Sequence, residues 1–213
     1  LDNIFCSDQL KKKINQKLNK NFLSISLNDS LLRKKSSSEK KNDIFLLTFS
    51  SGSSSKPKPI AISEKTKIER AKSNINSFKI KKKDIIIIST PLHHTLAIRL
   101  MTIGIILESK IIFMENYNFH NFLKLIKTFK CNFTFFISNQ LIEILKNRIK
   151  PYVLKSLRCL VSSSASLPID KKSQLIKIFS KNIYEMYGLS EAAVVSILKI
   201  NSQKTNLSSV GKP

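Results

Sequence analysis

The chain has 213 residues, 42% of them hydrophobic, which suits one globular domain or a large piece of one and excludes a disordered chain. A formal net charge of +23 raises nucleic acid or an anionic membrane surface as partners, yet only five of the 37 basic residues are Arg, the residue that phosphate and base recognition favours. The lysines are scattered, with short clusters at 11–13 and 81–83 and no aromatic interleaving, so solvated surface is the better account and no specific nucleic-acid partner is expected.

Cys6, Cys131 and Cys159 are odd in number and share no metal-ligand spacing, which fits a reducing compartment. The longest apolar run, 96–107, is interrupted by Arg99 and falls short of the roughly 20 residues of a membrane span. No secretory signal is evident, and a cytoplasmic protein without a transmembrane segment is expected. The sequence opens on Leu1 and its first Met is Met101, so an excerpt whose true start lies upstream is expected.

Residues 1–42 are rich in Lys, Asn and Ser and read as the tail of a preceding region plus a loosely ordered connector. From there, apolar runs of strand length alternate with stretches of helical period. That pattern predicts an α/β fold with layered, mostly parallel sheets flanked by helices. A buried strand over 43–49 delivers a Ser-rich loop. A helix over 63–78 follows, with Ile68, Ala71, Ile75 and Phe78 along one stripe and Ser63 and Glu64 at its start. Strands are predicted over 85–89, 110–114, 133–137, 157–162 and 183–186, and a last apolar stretch over 193–198. The continuous apolar run at 85–89 implies cover on both faces. Between the strands the periodicity predicts helices over 95–107, from 119 to 129, from 141 to 149, and over 168–179. The second of these has the clearest stripe, in Phe119, Phe122, Leu123, Ile126 and Phe129. His120, at its start, reads as structural.

The chemistry concentrates in few places. Ser50-Ser51-Gly52-Ser53-Ser54-Ser55-Lys56-Pro57-Lys58 crowds hydroxyls, one glycine and two lysines onto a loop, a composition suited to gripping a polyphosphate with N–H, O–H and ammonium donors. Ser- and Lys-rich segments are also ordinary linkers, and composition alone favours that reading. No Walker sequence is present. Downstream come Pro91-Leu92-His93-His94, then Val161-Ser162-Ser163-Ser164-Ala165-Ser166-Leu167-Pro168, Tyr187-Gly188-Leu189-Ser190-Glu191, and Ser209-Val210-Gly211-Lys212-Pro213. A lone His or an exposed Glu is more often structural than functional, and Tyr187 could equally be a packed residue at a strand end.

Taken as an ordered set, these segments resemble the signatures of the adenylate-forming (AMP-binding) superfamily, which includes acyl-CoA synthetases, aryl-CoA ligases, luciferases and non-ribosomal adenylation domains. The resemblance covers about residues 43–213 and implies part of the large N-terminal domain of such an enzyme. It implies ATP-dependent activation of a carboxylic acid to an acyl-adenylate with release of pyrophosphate, then transfer to a thiol such as coenzyme A. ATP, Mg²⁺ and coenzyme A are the implied cofactors and co-substrates.

The resemblance also implies roles. Ser50, Ser51, Gly52, Ser53, Ser54, Lys56 and Lys58 would hold the β- and γ-phosphates. Ser163, Ser164 and Ala165 would line the adenine pocket, with Tyr187 and Gly188 beside the base. Ser190 would contact the α-phosphate, Glu191 would bind Mg²⁺, and His94 would lie beside the carboxylate and acyl channel. Ser55, Pro59 and Ser163 stand where the family has glycine, and this departure motivates an alternative, a degenerate AMP-binding-fold module without chemistry. The family's ribose-binding Asp and distal catalytic Lys have no counterpart in these 213 residues, so the chain by itself is expected to be inactive. A basic nucleic-acid-binding protein is the weakest alternative, motivated by charge alone.

Overall fold

The computed structural model describes residues 22–25, 44–49, 58–202 and 205–213, the first of these as backbone only. The chain forms two compact units, Leu1–Tyr117 and Asn118–Pro213.

In the first unit, β1 (Phe22–Ile25) lies within the stretch read above as a connector and pairs antiparallel with a later strand. β2 (Ile44–Phe49) and β3 (Pro59–Ser63) form a separate antiparallel pair in which Phe49 faces Pro59 and Thr48 faces Ile60. The predicted buried strand over 43–49 is thereby corrected: Ile44, Phe45, Leu47 and Phe49 are all exposed. Both faces of a two-stranded ribbon depend on other elements for cover, which no apolar run can report. β3 itself was not anticipated, since Pro59 stops a central-strand reading; Pro is tolerated there as the first residue of its strand.

The helix α1 (Glu64–Phe78) starts as predicted, with the Ser63 hydroxyl accepting from the Thr66 amide at 3.2 Å. It stops at Lys79, whose φ of 50° is left-handed, and the Ile80 amide donates to the Ile75 carbonyl at 3.0 Å. β4 (Ile85–Ile88), α2 (Thr95–Ile106) and β5 (Lys110–Met114) make a parallel β-α-β crossover, with Ile85 opposite Lys110 and Ile88 opposite Phe113. Ile86, Ile87 and Ile88 are wholly buried, as a run apolar on both faces requires. The sheet order is β1-β5-β4.

The second unit opens with α3 (Phe119–Phe129), capped by the Asn118 side chain accepting from the Asn121 amide at 3.0 Å. Its buried stripe is Phe119, Phe122, Leu125 and Ile126; Leu125 replaces the expected Leu123, and Phe129 is half-buried. β6 is only Phe136–Ile137, ending where expected but without strand pairing at 134–135, and α4 (Ser138–Lys146) begins immediately after it, earlier than the periodicity placed it. A short 3-10 turn at Pro151–Leu154 leads to β7 (Cys159–Ser163), α5 (Ile169–Ile178), β8 (Asn182–Leu189) and β9 (Ala193–Lys199). The sheet runs β6-β7-β8-β9, parallel through β8, with β9 antiparallel at its edge. Its core holds Phe122 edge-on to Phe136, Phe133 edge-on to Phe135, and Leu160, Val161, Leu175 and Ile183. Among the described residues no helix is long and apolar enough to cross a membrane.

Candidate nucleotide site

β6, β7 and β8 are parallel, so their C-terminal ends share one edge of the sheet, the edge at which open α/β sheets bind ligands. Two of the sequence motifs lie there.

The first is the turn that leaves β7. Ser163 is the last strand residue and is buried, whereas Ser164 and Ala165 are exposed. Ser164 has φ of 77°, a left-handed backbone that a non-glycine residue adopts at a cost. The left-handed position is therefore 164 and not 163, and Ser163 in place of a glycine strains no such backbone. Two side chains pin the turn. The Ser138 hydroxyl, at the start of α4, donates to the Ala165 carbonyl and lies 3.3 Å from the Ser162 hydroxyl. The Glu185 carboxylate on β8 accepts from the Leu167 amide at 2.7 Å.

The second is the β8–β9 hairpin. The expected strand ended at Met186, but β8 runs on through Tyr187, Gly188 and Leu189, which pair with Ser196, Val194 and Ala193. The register slips by one residue between Tyr187 and Gly188, a bulge that re-aims the strand. Ser190, Glu191 and Ala192 form the tip. Only glycine fits at 188, because a Cβ there would stand 2.0 Å from the Ala193 carbonyl oxygen. Tyr187, Gly188 and Glu191 are exposed and Ser190 half-buried, so the ring, hydroxyl and carboxylate are all within reach of a ligand.

The last motif supports this hairpin from its outer side. Ile197 and Lys212 exchange backbone hydrogen bonds at 3.0 and 3.4 Å, and the Ser196 hydroxyl donates to the Val210 carbonyl at 2.7 Å. Gly211, at φ of 98°, passes so close to Ile197 that a Cβ would lie 2.3 Å from its carbonyl.

Glu185 is a charge in the mostly buried stretch 183–186, but Lys172 has no signal in the sequence, lying on a helix where only it and Leu175 are buried. Lys172 Nζ lies 2.6 Å from Glu185 Oε2, and both side chains are almost fully buried. Oε2 has no hydrogen-bond partner among the described residues and is held by the charge of the ammonium. The ammonium also donates to the Leu207 carbonyl at 2.8 Å.

In the first unit, His94 is the residue before α2; its side chain makes no capping bond, and it is exposed beside His93, ring centroids 4.2 Å apart. The neighbouring Thr90 hydroxyl is buried without a hydrogen-bond partner among the described residues. Lys58 is exposed just ahead of β3, while Ser50, Ser51, Gly52, Ser53, Ser54 and Lys56 lie outside the described residues. Two further cations are buried here. Burial, then the charges of Arg99 and Arg70, pull Lys67 down to about 8, and burial with Arg70 pulls Arg99 down to about 10.

Among the described residues no three His, Cys, Asp or Glu side chains are grouped to hold a metal ion. Glu191, exposed at the hairpin tip, could offer a cation one carboxylate, with phosphate oxygens and water completing the shell. That arrangement suits Mg²⁺, which keeps several waters and seldom takes an all-protein cage.

Solved structures with this fold include o-succinylbenzoate coenzyme A synthetase from Bacillus subtilis in complex with AMP, at a TM-score of 0.74 and 19% identity over 82% of this chain and 36% of that one. The same synthetase in complex with ATP and magnesium ion matches at 0.73 and 19%, over 82% and 36%. ATP-bound MatB from Rhodopseudomonas palustris matches at 0.70 and 16%, over 80% and 34%, and the luciferase-like enzyme of the nonluminescent Zophobas morio mealworm at 0.70 and 22%, over 88% and 45%. The chain thus spans about a third of the length of the first solved structures it matches. No curated protein sequence matches it. The family model described as AMP-binding enzyme matches residues 3–213, and on a match of that extent the chain belongs to the AMP-binding enzyme family.

Proposed function

We propose that this chain is the nucleotide-handling part of an AMP-forming acid–thiol ligase. In the reaction a carboxylate oxygen attacks the α-phosphorus of ATP, the bond to pyrophosphate breaks, and a thiol such as that of coenzyme A then attacks the acyl carbon of the resulting acyl-adenylate, forming a thioester and releasing AMP. Such chemistry needs positioning and charge neutralisation more than covalent help from the protein. The observation that carries the reading is the joint placement of the Ser163–Ala165 turn and the Tyr187–Glu191 hairpin tip on one C-terminal sheet edge, in a chain of the AMP-binding family.

In this reading Ser163, Ser164 and Ala165 present backbone to adenine, Tyr187 lies against the base, and Gly188 lets the hairpin close. Ser190 donates to the α-phosphate and Glu191 ligates Mg²⁺, which when bound neutralises phosphate charge. Ser50, Ser51, Gly52, Ser53, Ser54, Lys56 and Lys58 grip the outer phosphates, and His94 serves the acyl channel. Residues 43–213 carry these roles, and residues 1–42 lead into them.

A second reading, a nucleotide-binding module without chemistry, is favoured by Pro59. It is fixed as the first residue of β3, opposite Phe49, where the loop's family counterpart has a mobile glycine. Calorimetry of the full-length protein with ATP, with and without Mg²⁺, separates these readings from a protein that has lost the site. Mg²⁺-dependent binding that weakens in Glu191→Ala is expected. No binding in either condition would contradict both.

A further inference from the structure

The Lys172–Glu185 pair is costly and sits where stability alone does not call for it. Two charges taken out of water gain little over well-packed hydrophobic residues, so a buried pair has its clearest use in fixing a geometry. Here each charge is tied to backbone as well as to its partner. Glu185 lies on β8 two residues before Tyr187, and its Oε1 accepts from the amide of Leu167, two residues past the Ser163–Ala165 turn. Lys172 lies on α5 and donates to the Leu207 carbonyl, in the segment that runs on to Gly211 and Lys212 beside β9. One buried pair therefore connects the turn after β7, the strand bearing Tyr187, the helix that follows the turn, and the segment that backs the hairpin.

We propose that Glu185 is a positioning residue for nucleotide, with Lys172 as its partner. By holding the Leu167 amide it sets the spacing between the Ser164–Ser166 turn and Tyr187, and so the width of the slot for a purine ring. The inference rests on the nucleotide reading above. Its essential element is the carboxylate-to-amide bond, and the charge on Lys172 serves to keep the carboxylate in place.

The test uses the full-length protein with Mg·ATP as the probe, binding by calorimetry and stability by urea unfolding. Glu185→Gln with Lys172→Met removes both charges and keeps an acceptor for Leu167; ATP affinity within about threefold of the parent is expected. Glu185→Leu with Lys172→Met packs the same space with apolar groups and removes the acceptor; affinity is expected to fall by about tenfold or more, at a urea midpoint close to that of the Gln variant. Glu185→Asp provides a second route, keeping the charge while drawing the oxygen back from Leu167, and should also weaken ATP. In turnover the loss should appear in the KM for ATP and not in the KM for the thiol. A folded Leu or Asp variant that binds Mg·ATP like the parent overturns the inference while leaving the nucleotide reading intact. Failure of the parent itself to bind Mg·ATP overturns both.

Discussion

At the scale of single residues, Lys67 and Ser164 each carry a cost. Lys67 is buried on α1 with Arg99 and Arg70 near enough to repel it, and its pKa falls from 10.5 to about 8. A lowered folded-state pKa for a base has a definite sign. Below pH 8 both folded and unfolded chains hold the proton and the full cost applies. Between pH 8 and 10.5 the folded chain gives it up first, so stability rises with pH through that window and levels off above it. Lys67→Met should therefore stabilise the protein by ~1–3 kcal/mol at pH 7 and flatten this rise, measured by urea unfolding at several pH values. Ser164 is the other costly residue. Ser164→Gly should gain up to about 1 kcal/mol by relieving the left-handed backbone, whereas Ser164→Val, β-branched at φ of 77°, should lose more than that in the same measurement.

The secondary elements differ in how much of them the sequence could reveal. The crossover from β4 through α2 to β5 was legible because its isoleucines are buried on both faces and continuous. The start of α1 was legible because a hydroxyl cap is a local device. The β2–β3 pair was not, since Pro59 masks the second strand and the exposure of the first depends on what lies beyond the pair, and β6 ends at Ile137 as expected but lacks strand pairing at 134–135. The motif names Tyr187 and Glu191 as candidates, but it does not reveal the extension of β8 into a bulged hairpin. That extension depends on cross-strand register. Lys172 and Glu185 escaped for a similar reason: a pair joining a helix to a strand leaves no periodic trace. The hairpin gives a sharp prediction. Gly188→Ala places a methyl against the Ala193 carbonyl and should cost about 2–3 kcal/mol or more, with loss of Mg·ATP binding. Circular dichroism with urea unfolding, alongside calorimetry, checks it.

For the molecule as a whole, the fold is that of part of the N-terminal domain of adenylate-forming enzymes, and the family match spans residues 3–213. The order of motifs along the chain points to the same family, because each segment alone has an ordinary structural explanation and the set does not. We propose that the full-length protein activates a carboxylic acid with ATP, using Glu191 to hold the metal. The most direct measurement is ATP–pyrophosphate exchange driven by added carboxylic acids, parent against Glu191→Ala. Exchange that requires a carboxylate and Mg²⁺, and that falls by at least a hundredfold, or about 2.7 kcal/mol, in the variant is the predicted result. Exchange unchanged by Glu191→Ala, or none with any acid from a parent that binds Mg·ATP, would contradict it.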